Sequence, residues 1–233
     1  MIVVFFAGKA RVGKTTAANL LSKFAKKHDM NPVILPFAKA IKDAAEMAGL
    51  SKDADPKKYR DFCQDIGAAK RAEDPDHWVK MFMNSLLDIQ KKDMDNMNDP
   101  DTFWKERVVI VDDCRYLNEI NFGRAIGAEV MFISAGDRKL EDHDAEWRNH
   151  ESEAVANNYE NGDKDHMDMF EWVIHNDGSA AAFERKLNER FPIMLGLSPH
   201  KWGDKCDCAG CAAFYRDEKI SLEDLFGEFD DGA

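Results

Sequence analysis

Residues 8–16 read Gly8-Lys9-Ala10-Arg11-Val12-Gly13-Lys14-Thr15-Thr16 and follow directly on the apolar run Ile2-Val3-Val4-Phe5-Phe6-Ala7. Gly8, Gly13, Lys14 and Thr15 satisfy the spacing G-x-x-x-x-G-K-[ST] of a phosphate-binding loop. Glycines at its two ends let the backbone curl until successive N–H groups point inward at phosphate oxygens. Lys14 then reaches the β- and γ-phosphates, and a threonine hydroxyl, Thr15 or Thr16, is available to Mg²⁺. A helix predicted over 15–27, apolar at Ala17, Leu20, Leu21, Phe24 and Ala25, turns the positive end of its dipole toward the same anion. A strand before and a helix after are the setting the motif requires. The residues assigned to nucleotide binding here are Gly8, Arg11, Val12, Gly13, Lys14, Thr15 and Thr16.

Working outward, apolar runs at 33–35, 108–111, 130–133 and 172–175 read as further strands. They are near-continuous rather than alternating, as in strands covered by helices on both faces. Helical patterns lie between them at 38–48, 57–69, 77–91, 117–126 and 179–191. The alternation predicts an α/β fold with a doubly wound, mostly parallel sheet. Residues 1–197 are read as this domain. About 38–100 form an inserted helical block over the carboxyl ends of the strands, where ligands bind in such sheets. Residues from about 136 to 168, rich in Asp, Glu, His and Asn and lacking helical periodicity over much of their length, read as a lid or as a solvated acidic loop. Residues 198–233 read as a separate tail with an acidic end.

Bulk properties exclude several classes. A net charge of −12 over 233 residues argues against general nucleic-acid binding, because phosphate backbones would be repelled over most of the surface. No apolar run is long enough to cross a bilayer, and the first one leads straight into the phosphate loop, unlike a signal peptide. Five cysteines, an odd number, suit a reducing cytoplasm. His200, Cys206, Cys208 and Cys211 lie close enough to hold Zn²⁺ in the tail, or the cysteines are free thiols.

The run Val108-Val109-Ile110-Val111-Asp112-Asp113-Cys114-Arg115 ends an apolar strand in two carboxylates. Beside a phosphate loop, that is where Mg²⁺ is held, which gives Thr15, Asp112 and Asp113 as the metal set.

Asp113-Cys114-Arg115-Tyr116-Leu117-Asn118-Glu119 resembles the D-x-R-x-x-N-E segment of the deoxynucleoside monophosphate kinases found mainly in bacteriophages. Gln64 and Gly67, with Arg71 and Trp78 downstream, resemble that family's L-Q-x-x-G segment. His150-Glu151-Ser152-Glu153 resembles its H-x-S-E segment, and Ile174-His175-Asn176-Asp177-Gly178-Ser179 its I-x-N-D-G-[ST] element. These matches run in order over residues 2 to about 190. In place of the Asp that often follows the loop lysine in the family, this chain has Thr15 and Thr16.

The resemblance implies a P-loop kinase fold and transfer of the γ-phosphoryl group of ATP, with Mg²⁺, to a deoxynucleoside monophosphate in the cytoplasm, the host's if the chain is phage-encoded. It implies small-molecule nucleotide partners, room for a homodimer, and Asn176 and Asp177 beside the adenine. The acceptor set is Lys39, Gln64, Arg71, Trp78, Arg115, Glu119 and Glu153. Lys14, Arg115 and Asp113 are the catalytic candidates, together with a lid arginine, Arg138 or Arg148. Arg115 is the first choice for a phosphate clamp, because a planar fork grips phosphate oxygens in pairs. Its other reading is a partner for Glu119 one helical turn on. Trp78 and Gln64 contact the base or pack locally, and Asp177 or Ser179 is the cap of the last helix. A kinase for another small metabolite, such as dephospho-coenzyme A, and a P-loop ATPase switch or motor remain as alternatives.

Overall fold

The structure, a computed structural model, describes residues 1–97, 105–136 and 151–197. Its sheet contains β1 (Ile2–Ala7), β2 (Asn31–Ile34), β3 (Arg107–Cys114), β4 (Glu129–Ser134) and β5 (Trp172–His175) in the order β2-β3-β1-β4-β5. Every pairing is parallel. With the phosphate loop after the central strand β1, this is the doubly wound α/β P-loop architecture that the sequence implies. β2 starts at Asn31-Pro32, ahead of the expected 33–35, which a proline permits because β2 is an edge strand.

Alternation along β1 divides the core. Val3, Phe5 and Ala7 join Val109, Val111, Val130, Phe132 and Ile120 in one buried cluster. Val4 and Phe6 point to the opposite face, where α1 (Lys14–Lys27) packs on the sheet. On the first face α5 (Leu117–Ala125) approaches closely. A Cβ at Gly123 would lie 2.8 Å from the Phe5 ring, so the close approach requires glycine there.

Between β2 and β3 stand α2 (Lys39–Met47), α3 (Pro56–Glu73) and α4 (His77–Met97). The Asp55 carboxylate accepts the Lys58 backbone N–H and Pro56 occupies the first turn, which is why α3 starts where it does. Phe82 of α4 sits edge-on to Phe5 at 5.7 Å and tilted on Phe37 at 4.5 Å, so aromatic packing joins the inserted block to the sheet.

The acidic stretch after residue 136 is partly helical, rather than a solvated loop, where it is described. A single turn at Glu151–Glu153 leads into α6 (Ala154–Glu160) and α7 (Lys164–Met167). Val155 and Ala156 are buried, and Tyr159 lies 4.1 Å from Phe132 and 5.4 Å from Phe170, ring centre to ring centre. A one-turn stripe among charged residues is too short to register as helical periodicity. Similarly, α8 (Ala180–Asn188) ends short of the expected 179–191, before Pro192. Met1–Asn188 form one compact unit. The second unit is described over residues 189–197, which contain the short helix α9 (Phe191–Met194). Among the described residues no helix is long and apolar enough to cross a membrane.

Candidate active site

The phosphate loop closes at both ends on glycine, with φ of 134° at Gly8 and 109° at Gly13. A Cβ at Gly8 would lie 2.2 Å from the Ile133 carbonyl oxygen, so that position admits no side chain. Arg11 also takes a left-handed φ, 63°, which is strained for a residue with a Cβ. Asn176, buried just beyond β5, donates from Nδ2 to the Val12 carbonyl at 2.9 Å and braces the loop from behind. Asn176 and Asp177, expected beside the adenine, are not among the described residues lining the cleft. Asp177 pairs with Lys186 at 2.8 Å, and the cap of the last long helix is Ser179, whose Oγ accepts the Ala182 N–H at 3.2 Å.

Lys14 is only 6% exposed, and its ammonium donates to the carbonyls of Gly8 and Lys9, each at 2.6 Å. Burial, and next the nearby Arg115 charge, push it from 10.5 down to about 7. The Thr15 hydroxyl donates to Asp112 Oδ2 at 2.8 Å. The two strand-end carboxylates thus divide. Asp113 turns away from Thr15 and accepts the backbone N–H groups of Phe37 (2.8 Å) and Ala38 (3.1 Å), with Lys42 Nζ 3.5 Å away.

These groups open onto a cleft of about 940 Å³ at the carboxyl edge of the sheet, lined by the phosphate loop, the end of β3 and the inserted helices. Two buried glutamates organise its cations. Glu153, 1% exposed, accepts Arg115 Nη1 at 2.6 Å through one oxygen and the Ala10 N–H of the phosphate loop at 3.1 Å through the other. Glu119, 2% exposed, accepts the backbone N–H groups of Arg115 (2.8 Å) and Tyr116 (3.1 Å), and its other oxygen lies 3.7 Å from Arg71 Nη2. Burial pushes Glu119 up to about 7 against the pull of those N–H donors. The other reading of Arg115, as a partner for Glu119, holds only through its main chain. Glu119 binds the backbone of Arg115, while the guanidinium belongs to Glu153.

Gln64 and Trp78 both line the cleft. Trp78 is buried and donates from its indole nitrogen to Gly67 O at 3.2 Å, so it packs against α3 as well as facing the site. Lys39 is not among the cleft-lining residues. It pairs with Asp43 one turn on, and Lys42 faces the cleft in its place.

Lys42 and Tyr116 were missed by the sequence reading. Tyr116 carries the Arg71 guanidinium 3.7 Å above its ring centre, and its adjacency to Arg115 was the available signal. Arg138, Arg148, His200, Cys206, Cys208 and Cys211 lie outside the described residues. Among those described, no group of three His, Cys, Asp or Glu residues is placed to hold a metal, although the paired Thr15 and Asp112 oxygens suit a hard cation such as Mg²⁺.

No protein-family model and no curated protein sequence matches the chain. Among solved structures it is similar to a shikimate kinase from Acinetobacter baumannii in complex with shikimate, at 9% identity and a TM-score of 0.42, covering 86% of this chain and 96% of that one. It is also similar to a dephospho-CoA kinase from Campylobacter jejuni, at 13% identity and a TM-score of 0.42, covering 84% and 98%.

Proposed function

We propose that the chain is a nucleoside monophosphate kinase that moves the γ-phosphoryl group of ATP onto a deoxynucleoside monophosphate. The observation carrying this reading is the pairing of a phosphate loop with two arginines, Arg115 and Arg71, each beside a buried glutamate in the same cleft. A nucleotide hydrolase positions a water on its one triphosphate and needs no site for a second anion. A second set of fixed cations suits a second anion.

Phosphoryl transfer demands that two anions be held in line while charge spreads over the migrating group. Lys14 and the loop amides hold the triphosphate of the donor. Arg115 and Arg71 hold the acceptor monophosphate, one of whose oxygens attacks the γ-phosphorus as the bond to the β–γ bridging oxygen breaks. ADP leaves with that electron pair, and the acceptor becomes a diphosphate. Thr15 and Asp112 would hold Mg²⁺, which when bound neutralises charge on the donor phosphates. Gln64, which lines the cleft, would meet the base with its amide.

The test is ADP release by the purified chain with each of the four dNMPs. At least one should stimulate ATP consumption, and Lys14→Ala should abolish it. Release that no acceptor stimulates would overturn the kinase reading. Stimulation only by a non-nucleotide acceptor would retain the chemistry and overturn the nucleotide assignment.

A further inference from the structure

We infer that Tyr116 is a positioning residue for the acceptor: its ring holds the Arg71 guanidinium at the angle and place where it meets the incoming phosphate. The inference rests on the kinase reading above and deepens it at one residue. Arg71 comes from the end of α3, and an arginine side chain there has several rotatable bonds whose freedom is lost if it is to meet a ligand in one geometry. Two contacts from the start of α5 restrain it. The Tyr116 ring lies beneath it, its centre 3.7 Å from the guanidinium carbon, and Glu119 Oε1 stands 3.7 Å from Nη2.

The glutamate contact is longer than a hydrogen bond and holds by charge alone, so the ring contributes the orientation. A guanidinium lying on a ring keeps its N–H edge free, and that edge is what a phosphate binds bidentately. Tyr116 is itself well placed for this. Its backbone N–H is tied to Glu119 Oε2 at 3.1 Å, immediately after Arg115. One turn of chain therefore sets both arginines, Arg115 through its own backbone and Arg71 through the neighbouring ring.

The backbone tie does not use the ring, so Tyr116→Leu leaves the start of α5 capped while removing the platform. Tyr116→Phe keeps the platform and removes only the hydroxyl. In steady-state ADP release with the preferred dNMP, Tyr116→Leu should raise the acceptor KM about tenfold, equivalent to about 1.4 kcal/mol, with the ATP KM unchanged. Tyr116→Phe should behave as wild type. In an Arg71→Ala background, Tyr116→Leu should add nothing, since the ring then has no guanidinium to hold.

An acceptor KM that Tyr116→Leu leaves unchanged in an active enzyme, or a further loss in the Arg71→Ala background, overturns the role of Tyr116 alone. An ATP KM that rises in step with the acceptor KM overturns it too, showing a general loss of structure. A wild-type chain inert toward all four dNMPs would overturn the deoxynucleotide assignment and this role with it.

Discussion

Lys14 shows how a single side chain can register the occupancy of the site. Its ammonium is buried and turned onto the loop carbonyls of Gly8 and Lys9, and burial with the Arg115 charge lowers it from 10.5 to about 7. Because the folded value lies below the unfolded one, the unfolded chain binds the extra proton between about pH 7 and 10.5, and this group makes stability rise with pH across that window. A triphosphate beside Lys14 favours the charged form and should return its pKa toward the ordinary value. ATP binding at pH 8 is therefore expected to take up close to one proton through Lys14, whereas at pH 6 the amine is already charged and takes up none. Calorimetry in two buffers of different ionisation enthalpy measures this. The uptake should disappear in Lys14→Met, and uptake that persists in that variant would refute the assignment. The same coupling makes ATP affinity fall as pH rises above 7.

At the scale of elements, the loop between β1 and α1 keeps its shape through two segments far from it in sequence. Glu153, at the turn before α6, takes the Ala10 N–H, and Asn176, after β5, takes the Val12 carbonyl. A Cβ at Gly13 would lie 2.8 Å from Asn176 Nδ2, so the amide fills the space that glycine leaves. Asn176→Ala removes the donor and leaves a carbonyl unpaired in the interior, a loss of about 1–3 kcal/mol. It should raise the ATP KM severalfold while the acceptor KM stays near wild type, because Arg71 and Arg115 are held by other residues. Equal losses on both substrates would show that the loop and the acceptor arginines move as one body. The loop itself was legible in the sequence, since its glycine–lysine spacing is local. Its braces were legible only as motif positions: Glu153 and Asn176 stand out by resemblance, but the donor to Val12 lies 164 positions away in sequence, and nothing local says that it holds the loop.

For the whole molecule, legibility follows the same distinction between near and far. The order of strands and helices could be read because each strand is an apolar run bounded by helical pattern. Lys14, Arg71 and Arg115 of the cleft could be named, but not Lys42 or the way the arginines are held: Arg71, Tyr116 and Glu119 meet only when α3 folds back over the end of β3. The net charge of −12 conceals this concentration of Lys14, Lys42, Arg71 and Arg115 in one cleft, a local field suited to drawing in anions despite the acidic surface. Every described residue lining that cleft lies between Ala10 and Glu153. A chain ending at Leu197 should therefore keep acceptor-dependent ADP release, with kcat/KM within about twofold of the full chain. It should also lose any zinc that the full chain carries through His200, Cys206, Cys208 and Cys211, which atomic emission on the two proteins would compare. If the shortened chain stays folded, as judged by an unchanged circular dichroism spectrum, but no longer turns over ATP with a dNMP, the catalytic machinery extends into residues 198–233. The cleft described above would then be only part of the active site.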